Sequence, residues 1–72
     1  MKRFKLIEYR GILSQKEMAK HYGVSQQTWA CWENGKKTPR LPMLKKISDD
    51  IGEPMEAIFF DAFQHLKVVN GD

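Results

Sequence analysis

Two adjacent glutamines, Gln26 and Gln27, are the residues of this chain best suited to reading another molecule. A glutamine amide both donates and accepts hydrogen bonds, so a pair of them can match a planar edge such as that of a nucleobase. At about 100° per residue, Ala30, Cys31 and Asn34 fall on the same helical side as this pair. The surface so formed is one of amides and small groups, with no bulky hydrophobe and only Glu33 at its boundary. The opposite side carries Thr28, Trp29 and Trp32. That placement makes the two tryptophans core residues rather than stacking platforms, and each buried indole N–H then needs an acceptor.

Other chemistries find little support. His21 and His65 are far apart and have no second ligand at helical spacing, so no metal site is expected. Cys31 has no cation beside it in sequence to lower its pKa, which argues against a redox switch. No Ser/His/Asp or Cys/His arrangement emerges, so the chain is expected to have no catalytic residues and not to be an enzyme. No cofactor is implied. Glu17, Glu53 and Glu56 stand at helix starts, where a carboxylate complements the helix dipole.

The elements that must hold the amide surface are legible from their caps. Ser14 opens a helix from Gln15 to Tyr22, and Glu17 three residues later completes a capping box. Gly23 and Val24 break it, and Ser25 caps a following helix from Gln26 to Asn34, closed by Gly35. Two short capped helices around a glycine turn have the sequence form of a helix-turn-helix, over about residues 15–34. Met18, Ala19 and Tyr22 form the inward side of the first of them, with Ala19 allowing a close helix crossing.

Before this motif, residues 2–10 read as a helix with Phe4, Ile7 and Leu6 inward, and Ile12 or Leu13 as a hydrophobic staple ahead of Ser14. After it, KKTPR is a basic loop, and Pro42 suits the first turn of a fourth helix carrying Leu44, Ile47 and Ile51. Gly52 ends that helix. Glu53-Pro54 opens a fifth, with Met55, Ile58 and Phe59 inward. The segment 61–72 contains Phe63, Leu66, Val68 and Val69 without a clear period. It reads as a tail that either meets a second subunit or frays.

Seventy-two residues with 42% apolar and 29% charged side chains describe one ordinary small domain with a modest core. The net charge of +3 conceals a strong polarity. Residues 1–47 hold eleven Lys/Arg against three acids, whereas 48–72 hold one base against six acids. The basic part coincides with the helix-turn-helix, as an electrostatic footprint for nucleic acid would. One cysteine excludes an internal disulfide. No stretch is apolar enough for a membrane span, and MKRFK leads into Glu8 and Arg10 without a signal-peptide core. The expected compartment is the cytoplasm.

The run SQKEMA…YGVSQQTW..WENGK resembles the XRE family, the Cro and phage-repressor type of helix-turn-helix. Gln15, Ala19, Gly23, Val24, Trp29, Trp32 and Glu33-Asn34-Gly35 carry the likeness, and Pro39, the fourth helix and GEPMEAIFF extend it to about residue 60. The resemblance implies an all-α fold, a compact five-helix, lambda-repressor-like bundle at residues 1–60. It implies that Gln26 and Gln27 read bases in the major groove, with Ala30 and Cys31 beside them, Cys31 meeting a thymine methyl. Gln15, Ser25, Asn34, Lys36, Lys37, Thr38 and Arg40 would meet the DNA backbone, giving register and affinity without sequence information. The family often pairs an arginine of its first helix with the glutamate that is Glu33 here. The matching position holds Glu8, leaving Arg10 or Lys5 as substitutes.

The function expected is that of a sequence-specific regulator of transcription, a repressor of phage or mobile-element type that acts as a homodimer on a double-stranded operator. The partners expected are DNA and a second copy, with no membrane and no small-molecule substrate. The alternative is a protein-interaction module of the same fold, such as an antitoxin or antirepressor, using the acidic C-terminal third.

Overall fold

A computed structural model describes residues 1–63. Leu66, Val68, Val69 and His65, and with them most of the expected tail, lie outside the described residues. Within them the chain is all-helical, with no strand. Five helices follow in order: α1 Phe4–Arg10, α2 Gln15–His21, α3 Gln26–Glu33, α4 Leu41–Ile51 and α5 Met55–Ile58. The expectation of five is exceeded by one more helical stretch at 60–63. The chain falls into two compact units, Met1–Lys37 and the part from Thr38 onward.

In the first unit, the caps form as their residue types require. The Ser14 hydroxyl accepts from the Glu17 N–H at 3.0 Å, and the Glu17 carboxylate accepts from the Ser14 N–H at 2.9 Å. These bonds satisfy donors that the first turn of α2 would otherwise leave unpaired. They also hold the Glu17 carboxyl below its ordinary pKa, the Ser14 backbone bond acting most strongly. Ser25 repeats the device for α3, accepting from the Thr28 N–H at 3.1 Å and donating to the Thr28 hydroxyl at 2.8 Å.

The core of this unit is aromatic. Trp29 is fully buried and stacks on Tyr22, with centroids 5.4 Å apart and planes 8° from parallel. Trp32 meets Trp29 edge-on, and Tyr22 also exchanges a 2.9 Å hydrogen bond with the Tyr9 hydroxyl of α1. Met18, Ala19 and Leu6 complete it. Burying a side chain of this size contributes on the order of 2–3 kcal/mol.

Three local expectations are corrected here. Phe4 is not inward but 67% exposed, whereas Leu6 is fully buried. The inner face of this segment runs through Arg3, Leu6 and Arg10, and two arginines on it disguise the period. No staple is drawn into the core ahead of Ser14, since Ile12 and Leu13 are both exposed. Tyr22 and Asn34 serve as C-caps, so α2 and α3 each end one residue early.

In the second unit α4 begins after Arg40, which places Pro42 second in the helix rather than first. The position still costs nothing, because the missing N–H has no partner there. Gly52 closes α4 in the left-handed conformation, φ +83°, and its N–H bonds the Ser48 carbonyl at 2.8 Å. The Ser48 hydroxyl donates to the Glu53 carbonyl, fixing the corner into α5. Leu44, Ile47, Ile58 and Phe59 are buried, while Ile51 and Met55 are only half-buried.

Candidate nucleic-acid interface

The amide surface sits on α3. Ser25, Gln26 and Gln27 are exposed at its start, and Ala30, Cys31 and Asn34 are half-buried along it. Gln27, Cys31, Ser25 and Thr28 share a hollow of about 260 Å³ with Lys37. A second hollow, about 270 Å³, brings Gln15, Ala30 and Asn34 together with Lys2 and Arg10. Two of the seven expected backbone residues, Thr38 and Arg40, belong to the second unit, where both are exposed. Lys36 and Lys37 are exposed in the first.

Glu33 organises what lies behind this surface. Its side chain is almost fully buried and accepts from Arg10 Nε at 2.6 Å and Arg10 Nη2 at 3.2 Å. It accepts as well from Gln15 Nε2 at 3.1 Å and from the Trp29 indole N–H at 2.5 Å. The glutamate therefore finds its helix-one partner in Arg10, two residues beyond the position held by Glu8. It also supplies the acceptor that buried Trp29 requires. Burial raises the Glu33 pKa, but the bonds from Arg10, Gln15 and Trp29, with the Arg10 charge, outweigh that and hold it below the ordinary value.

This hub has a direct consequence for Gln15. One amide N–H is engaged by Glu33, so the side chain is oriented from within, and a glutamine amide has a second N–H to offer. The Ser25 hydroxyl is likewise engaged by its cap. At the far end of α3, Asn34 Oδ1 accepts from the Lys36 N–H at 3.0 Å, and the Lys36 and Lys37 N–H groups converge on the Cys31 carbonyl. Gly35 makes that reversal possible. It takes φ +80°, and a Cβ there would run into the main-chain carbonyl of Met1.

The family model described as helix-turn-helix matches residues 5–58, three-quarters of the chain. The chain belongs to the XRE-type helix-turn-helix family. Membership places it among DNA-binding regulators of transcription. Over 57 residues it is 42% identical to an uncharacterized HTH-type transcriptional regulator of Methanocaldococcus jannaschii, which covers 76% of this chain and 86% of the relative. No solved structure matches. Among the described residues no three metal-ligating side chains gather, and no helix is long and apolar enough to cross a membrane.

Sequence reasoning missed two residues of this region, Lys2 and Arg3. Lys2 lines the second hollow and Arg3 is 1% exposed. The available signal was the spacing Arg3, Leu6, Arg10, which is a helical period once arginine is allowed on an inner face.

Proposed function

We propose that the protein is a sequence-specific repressor that binds double-stranded DNA with α3 in the major groove. Gln26 and Gln27 hydrogen-bond base edges, and Ala30 and the Cys31 side chain meet thymine methyls. Gln15, Ser25, Asn34, Lys36, Lys37, Thr38 and Arg40 contact the sugar-phosphate backbone, setting register. The carrying observation is an outward α3 surface of amides and small groups that runs into two exposed lysines. A domain of this size makes few base contacts. It is therefore assigned a homodimeric mode on a near-palindromic operator, with half-sites about 34 Å apart. The setting is cytoplasmic, and the genetic context is that of a phage or mobile element.

Selection of bound DNA from a random pool tests the reading. A symmetric enriched motif is the expected result, and recovery of no preferred sequence contradicts it. Affinity for the selected site falls with salt by about 0.9 logarithmic units per phosphate contacted. A flat salt response removes DNA as the partner and favours a protein-binding role.

A further inference from the structure

The last turn of a helix leaves carbonyls without intrahelical partners. At the end of α3 each has an identifiable donor. The Ala30 carbonyl takes the Asn34 N–H, and the Cys31 carbonyl takes those of Lys36 and Lys37. The Trp32 carbonyl takes Arg3 Nη1 at 2.9 Å, and the Glu33 carbonyl takes the Arg3 N–H at 2.7 Å. The same Nη1 bonds the Lys37 carbonyl at 2.7 Å. Arg3 is thus a C-cap delivered from about thirty residues earlier in the chain, its charge buried where the helix dipole is negative.

From this we infer that Arg3 is a positioning residue for DNA binding. It bridges the α3 terminus to the backbone of the loop that carries Lys36 and Lys37. It meets no phosphate itself, being buried, but fixes where those two ammonium groups emerge relative to the α3 surface. The inference rests on the proposed DNA-binding reading. It adds to that reading a residue outside the helix-turn-helix on which phosphate contact depends.

The test measures affinity for non-cognate duplex DNA across a salt series, well below each variant's melting temperature. Wild-type protein gives a steep salt dependence. In R3M the slope falls by roughly 1–2 units, because the contacts of Lys36 and Lys37 are lost or weakened. Amide exchange at Lys36 and Lys37 accelerates in parallel. R3Q, which keeps an amide donor but loses the charge and the reach by which the guanidinium spans the Trp32 and Lys37 carbonyls, replaces R3M if that variant does not fold, with the same expected fall. Ile47→Val, a mild core change in the second unit, lowers stability and leaves the slope unchanged. An Arg3 variant that melts earlier but keeps the wild-type slope overturns the inference and leaves the DNA-binding reading standing. Wild-type protein without salt-dependent binding overturns both.

Discussion

The two units of this chain are held together by different physics. From Thr38 onward, stability comes from apolar side chains at helical spacing, Leu44 and Ile47 on α4 and Ile58 and Phe59 at α5, with a glycine cap between. In the first unit the aromatic core is interleaved with charge. Glu33 is buried among Arg10, Gln15 and Trp29, and Arg3 is buried against carbonyls. Apolar packing is tolerant of exchange, whereas a buried hydrogen-bonded carboxylate demands particular donors in particular places. The stringent arrangement lies in the unit that presents the candidate DNA surface. Its benefit there is orientation, since Gln15 and α3 are tied to one oxygen pair.

Substitutions can separate these two modes. Trp29→Ala should be the most damaging, at about 3–5 kcal/mol by denaturant titration, because it opens a cavity and strips Glu33 of a donor. Ile47→Ala should cost about 2–4 kcal/mol as a cavity effect alone, with the acid response of stability left as in wild type. Glu33→Gln should cost about 3 kcal/mol, the low end for a broken buried pair because Arg10 retains some solvent contact. The acid response distinguishes this variant from Ile47→Ala. The folded-state pKa of Glu33 is depressed, so its contribution is present above the ordinary value of 4.5 and is lost as pH falls below it. Wild-type stability therefore declines on acidification below that point, and the glutamine variant lacks this part of the decline. Ser25→Ala should remove only about 1 kcal/mol, the worth of one N-cap. Equal acid responses in Glu33→Gln and wild type would erase the proposed difference between the units.

Sequence reading was strongest where local rules decide the outcome. Ser14 with Glu17, Ser25, Gly35 and Gly52 each announce a cap through short-range chemistry, and α2 to α5 follow within a residue or two. Helical spacing alone puts both tryptophans inward, where they are buried. Sequence reading was weakest along α1, where Phe4 is apolar yet exposed and Arg3 is charged yet buried. Apolar periodicity has no means of seeing a guanidinium whose partners are carbonyls at Trp32 and Lys37. The donor for Glu33 is ambiguous in sequence for a related reason. Arg10 and Lys5 were both plausible on α1, and only the path of the chain into α2 brings Arg10 onto the carboxylate. Gln15 appeared as an outward group, and its bond to Glu33 depends on the same tertiary placement.

The most direct test of the proposed readout compares two substitutions on one selected operator and one unrelated duplex. Gln27→Ala should weaken operator binding by about 1–3 kcal/mol while leaving the unrelated duplex untouched, and Lys36→Ala should weaken both alike. Equal losses on both duplexes for Gln27→Ala, or none on the operator, would contradict base reading from the start of α3.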